Sequence, residues 1–191
     1  MLISKSDFEP YIDIAANLTD KKLYPKIREA ETFDICGLMG DAFYYDMMQW
    51  VEENGTLKAD IPDGYRDLIN GVTYDTTFVL QGLKPVDVYF SGARLIRSLD
   101  LHITPNSMAY KQNEYSERAD SKAIGMKATE YENQAIGYWR KCVSFIDFSG
   151  KSVFPLWNGF ATCGDGEVSH ARQRIIGVKG RSNNTRWINR Y

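Results

Sequence analysis

The residues best placed to do chemistry in this chain cluster at its end. Residues 170–191 carry Arg172, Arg174, Lys179, Arg181, Arg186 and Arg190 and no acidic side chain. The segment therefore holds +6, and the chain's net charge of −2 leaves −8 on everything before it. Trp187 and Tyr191 stand among these cations. Two chemistries suit the pattern. The cations can track a nucleic-acid backbone while the aromatic rings stack on bases. Alternatively the segment is a docking arm whose arginines meet an acidic neighbour, another copy of the chain included, because arginine and tryptophan are enriched at protein interfaces. Apolar residues alternate with the charges and no compact binding motif frames them, which favours the interface. A second polar stretch holds Tyr110, Lys111 and Tyr115, and reads equally as a contact surface or as a solvated loop.

Signs of catalysis are thin. The two histidines, His102 and His170, are far apart and neither stands in a metalloprotease spacing. Cys163 and His170 lack the second pair of ligands that a structural zinc site needs. There is no phosphate-binding glycine loop, dinucleotide fingerprint or nucleophile elbow. Gly164-Asp165-Gly166-Glu167 reads as a hairpin turn, not a calcium loop. The carboxylates Glu29, Glu31, Asp34, Glu52, Glu53, Glu130 and Glu132 read as solvated charge on helical faces. No metal and no cofactor is expected, and nothing in the pattern calls for an enzyme.

The elements that must position these segments are helical. From 121 to 147, Ile124, Ala128, Tyr131, Ala135, Tyr138, Cys142 and Phe145 recur at alternating spacings of four and three. That is one face of a helix roughly 40 Å long, with Lys127, Glu130, Asn133, Gln134 and Lys141 opposite. Such a face needs partner helices, and the chain is read as organised around it.

Before it, Ser6 and Glu9 have capping-box spacing and open a short helix through Ala16. Residues 21–39 form a second helix with Leu23, Ile27, Ala30, Phe33 and Leu38 inward. Gly37 and Gly40 mark its stop or a close helix approach. Asp41 caps a third helix that runs to Asn54-Gly55, and residues 65–69 make a helical turn. Residues 72–80 form a strand or extended connector. Pro85 opens a further helix that runs to about residue 100.

Residues 103–120 exceed what a helix–helix turn needs and predict a protruding finger or hairpin. Residues 148–191 contain six glycines together with Trp157, Phe160, Ile175, Ile176, Trp187 and Ile188. They read as an extended arm with short strands. The expected fold is thus mainly α, a helical bundle over 1–150 with a finger at 103–120 and a basic arm over 151–191. Three cysteines without regular spacing fit a reducing compartment, with Cys36 and Cys142 read as buried free thiols in helices and Cys163 as a loop thiol. No signal peptide is expected, and no apolar run has the length of a membrane span.

Three stretches carry a resemblance. KLYPKIREAETFDICGLMGDAFYYDM, GLKPVDVYFSGARLIRSLDLHITPNSMAYKQNEYSERAD, and the FPLW that follows the long helix together cover about residues 20–157. They resemble head–tail connector (neck, or adaptor) proteins of tailed phages and are similar to ring proteins of crAss-like phages. Where that pattern often has glycine after the threonine, this chain has Pro105-Asn106-Ser107. The resemblance implies a helical subunit of a dodecameric ring below the portal, located in the virion neck and in the host cytoplasm before assembly. Such a ring extends the DNA channel without sequence-specific binding and has no membrane role. Its partners would be further copies, the portal protein and other neck or tail proteins, met through the finger and the terminal arms. An acidic channel wall would repel the passing phosphates.

Overall fold

In the computed structural model the described residues are 1–14, 18–73, 79–98, 101–103, 108–110 and 120–159, with 101–103 and 108–110 described by backbone alone. The fold is mainly helical. Its longest element is α6 (Ser121–Ser149), which would span about 43 Å at 1.5 Å per residue. Asp120 precedes it in extended conformation and Gly150 ends it. The four-three stripe is inward as expected, with Ala128, Ala135, Cys142 and Phe145 buried and Ile124, Tyr131 and Tyr138 half-buried. Trp139, Val143 and Ile146 form a second buried row beside it. The C-terminal half of α6 is therefore enclosed over a wide arc, because it packs on several elements at once.

The true centre is α5 (Lys84–Ser98). Every residue from Pro85 to Ala93 is buried, including Asp87, Ser91 and Gly92. This overturns α6 as the organising element. α5 packs on α6, on α1 (Asp20–Ala30) and on a 3-10 turn (Lys5–Phe8), and cover from three sides leaves Pro85–Ala93 no solvent face. α5 and α6 run antiparallel. The Cys142 thiol reaches the Gly82 carbonyl just before α5, Tyr89 stacks on Tyr138 with centroids 5.6 Å apart, and Arg97 pairs with Glu132 at the far end. Small residues allow this approach: a methyl on Gly92 would stand 2.7 Å from Ile12 and 3.3 Å from the Tyr131 ring.

α1 continues into a π turn (Glu31–Ile35) and then α2 (Cys36–Met39). Leu23, Ile27 and Ala30 are buried as the spacing predicts, but Phe33 is 61% exposed. The wider turn inserts one residue into the helical repeat, so the inward row resumes at Ile35 and Met39. Glu31, four residues after Ile27 on the same inward face, is buried at the turn's start. Gly37 lies inside α2 with open space around it and is neither stop nor close approach; the helix stops at Gly40.

The N-terminal segment differs from expectation. Its cap is Ser4, whose N–H and hydroxyl both reach Asp7 Oδ2, at 2.8 and 2.7 Å. The helix is a single 3-10 turn, whereas Ala16 lies outside the described residues. Leu2, Ile3, Phe8 and Ile12 are buried, each worth roughly 1.5–3 kcal/mol of transfer from water. α3 (Asp41–Met48) ends earlier than expected, and turns with a Val51–Leu57 bridge replace its last residues. α4 (Asp63–Asn70) is longer than the predicted turn and buries Tyr65, Leu68 and Ile69. β1 (Val72–Thr73) and β2 (Val79–Leu80) form a two-residue antiparallel ladder.

Between α5 and α6 lies a hairpin, β3 (Leu101–Ile103) paired antiparallel with β4 (Met108–Tyr110). It falls where the finger is expected. At the other end of α6, Phe154 and Trp157 are buried, and Phe154 lies edge-on to Phe43, Tyr65 and Phe145. The compact unit therefore runs from Met1 to Trp157, past residue 150.

Candidate functional site

The basic residues Arg172, Arg174, Lys179, Arg181, Arg186 and Arg190, with Trp187 and Tyr191, lie outside the described residues, as do Lys111 and Tyr115. Tyr110 ends β4, in register with Leu101.

Among the described residues, the outer side of α1 and the π turn form an open groove of about 820 Å³ that includes Tyr24, Arg28, Glu29 and Phe33. Its floor is a helix surface and its charges are of both signs. Such a surface suits a protein neighbour better than an enclosed small molecule. Arg94 of α5 holds one edge in place. Its guanidinium takes Asp34 with two hydrogen bonds of 2.7 and 2.9 Å, lies 3.8 Å from Glu29, and sits 5.5 Å from the centre of the Phe33 ring. A forked guanidinium–carboxylate pair fixes geometry as well as charge. A second apolar surface stands at the end of α6, where Phe148 is 89% exposed and Val153 and Leu156 are also exposed.

A polar cluster lies inside the bundle. Glu31 is 4% exposed and Asp87 0%. The Leu2 backbone N–H donates to Glu31 Oε1, and the Ser91 hydroxyl donates to Asp87 Oδ1 at 3.0 Å. Burial pushes the Asp87 carboxyl well above the usual carboxylate range, and the neighbouring Glu31 charge adds to this. Burial also raises Glu31, against the Leu2 N–H, the Met1 amino group and Arg28, which favour its charged form. Glu31 is thus no solvated surface charge, contrary to expectation. Only Asp87's place inside the apolar run VDVYF hinted at this pair.

The described cysteines are poor nucleophiles. Burial, with Asp41 beside it, pushes the Cys36 thiol up to about 11, and burial pushes Cys142 up to about 12. Cys163 is outside the described residues. Among the described residues no cluster of three or more histidine, cysteine, aspartate or glutamate side chains is arranged to hold a metal ion. No helix among them is long and apolar enough to cross a membrane.

A mainly helical domain with a hairpin between its two principal helices is the class of protein these features define. The chain belongs to a family of unknown function (DUF6712), whose model matches residues 35–167, from the end of the π turn through α6 and beyond. No curated protein and no solved structure matches it.

Proposed function

We propose that this chain is a structural subunit of a ring that connects the portal vertex of a phage capsid to the tail and extends the DNA channel. The observation that carries the reading is where the resembling segments fall. Residues 22–47 supply α1, the π turn, α2 and most of α3, and residues 82–120 supply α5 and the β3–β4 hairpin. The resemblance thus covers the interior of the bundle and the hairpin between α5 and α6, and is not confined to surface positions. The open α1 groove and the exposed Phe148 end are further support, since a ring subunit must present two different faces to its neighbours. In this reading the basic segment 170–191 and the finger around Tyr110, Lys111 and Tyr115 make the contacts to other copies, to the portal protein and to further neck or tail proteins. The acidic remainder keeps DNA from adhering as it passes.

Light scattering and electron microscopy of the full chain, alone and mixed with a phage portal protein, test this. Closed rings of about twelve copies are expected, lost when residues 170–191 are removed. A chain that stays monomeric under both conditions overturns the reading. The charge of +6 on residues 170–191 favours one alternative, a nucleic-acid-binding module. That alternative requires DNA affinity that falls steeply with salt, with a slope of up to about six phosphates, and disappears with the same truncation.

A further inference from the structure

Two ionised carboxylates cannot lie together in a deeply buried site without a large electrostatic cost. Glu31 and Asp87 lie together in such a site. Asp87 Oδ1 is occupied by Ser91, and Asp87 Oδ2 is buried without a donor to meet it. A proton on Asp87 resolves both difficulties: Oδ2–H donates to Glu31, and Glu31 accepts from Asp87 and from the Leu2 amide. The groups that face the pair are known. Arg28 comes from α1, Tyr44 from α3, Ser91 from α5, and the Met1 amino group and the Leu2 amide from the N-terminal segment. Of these covers, α1, α3 and α5 are helices with their own backbone hydrogen bonds. The N-terminal segment is extended over its first four residues, and Leu2 has given its backbone donor to a carboxylate. Glu31 opens a π turn at this seat, and such turns recur at functional sites.

We propose that Glu31 and Asp87 share one proton and that this proton works as a latch. While it is present Glu31 holds the Leu2 amide and fastens residues 1–3 to the bundle, and its loss loosens them. Loosening follows because a second negative charge in the seat is relieved most easily by admitting water, and the least hydrogen-bonded cover is the N-terminal segment. The latch makes the exposure of Leu2 and Ile3 respond to pH.

Amide hydrogen exchange of the full chain by NMR tests this, read as protection factors so that the intrinsic pH dependence of exchange is removed. Protection at Leu2 and Ile3 is expected to fall at least about tenfold between about pH 5 and about pH 9, with the α6 amides around Trp139 unchanged. In Asp87→Asn a permanent N–H donor replaces the shared proton, so protection there is expected to stay high and flat. A flat wild-type profile overturns the latch, and so does an Asp87→Asn profile that falls like the wild type. Should that variant not fold, carboxyl-carbon titration of the wild type decides: one group of the pair must titrate well above the surface carboxylates, and ordinary titration of both overturns the proposal.

Discussion

The Trp157 indole N–H donates to Asp147 Oδ1 at 2.7 Å, and this bond folds the chain back onto the last turns of α6. The indole also lies 5.4 Å from Phe43 and 6.1 Å from Trp139, centre to centre. Residues 151–157 therefore close the bundle's end.

Chain truncation gives a direct measure of that closure. A chain ending at residue 158 is expected to keep cooperative urea unfolding. One ending at residue 150 is expected to lose it, because Phe154 and Trp157 each contribute about 3–5 kcal/mol. Their sum rivals the whole stability of a typical domain, about 5–15 kcal/mol. Trp157→Phe keeps the ring burial and leaves Asp147 to water, so it should cost only about 1–2 kcal/mol. Equal stability of the two truncated chains would falsify the closing role.

Three glycines should respond in opposite ways. At Gly71 a methyl would stand 2.4 Å from the Leu80 carbonyl oxygen, and at Gly82 one would stand 2.5 Å from the Gly71 nitrogen. Both have φ near +80°, and backbone atoms cannot swing aside as side chains can. Gly71→Ala or Gly82→Ala is expected to destabilise by about 2–4 kcal/mol. Gly37 is helical, exposed and unobstructed, so Gly37→Ala should stabilise by about 0.5–1 kcal/mol. Thermal melts of the three variants, read against the wild type, check both signs.

The buried thiols make a reporter of unfolding and a pH dependence at the alkaline end. With Cys36 raised from 9.0 to about 11, its thiolate fraction at about pH 8 is roughly a hundredfold below that of a free thiol. Cys142, raised to about 12, falls roughly a thousandfold below. Alkylation of both should follow global unfolding and not local breathing. Their folded values exceed their unfolded ones. The stability they contribute is thus complete below about pH 9 and is lost as pH rises toward 11–12. Mass spectrometry of iodoacetamide-treated chain across a urea series would show Cys142 labelled only within the unfolding transition; labelling well before it contradicts the burial.

The outline of the bundle was legible because periodicity is a local signal. Ala135, Cys142 and Phe145 sit on one face at helical spacing whatever they pack against. The centrality of α5 was not legible, because Asp87, Ser91, Gly92 and Arg94 dilute its apolar pattern. Asp87, Gly92 and Arg94 are explained only by partners elsewhere in the chain, Glu31, Ile12 with Tyr131, and Asp34, and Ser91 only by its bond to Asp87. Phe33 was misplaced for a related reason. A π turn adds one residue to the repeat, and nothing in ETFDI announces it. The Glu31–Asp87 pair was hidden for the first of these reasons, since an acid four residues after Ile27 is explained only by the buried Asp87 it meets. The candidate contact residues were visible only as a charge pattern, and charge alone does not specify the surface that receives it.

Asp7 sets a second pH dependence on the N-terminal segment, opposite in sign to that of a buried acid. Burial raises its carboxyl, but the Ser4 N–H, the Ser4 hydroxyl and Lys84 at 3.1 Å outweigh it and hold the group below its ordinary value. A depressed carboxyl contributes stability that is present above its unfolded value and lost as pH falls through the folded one. Acid should therefore loosen the 3-10 turn from α5, where Lys84 anchors it. The pair is partly exposed, so its worth is a few tenths to about 1 kcal/mol, and salt should reduce it. Asp7→Asn keeps the shape and removes the charge. It is expected to match the wild type at about pH 3 and to fall below it at about pH 6, the difference shrinking in 1 M salt. Urea midpoints at the two pH values measure this. A deficit as large at about pH 3 as at about pH 6 would assign Asp7 a purely steric role at the cap.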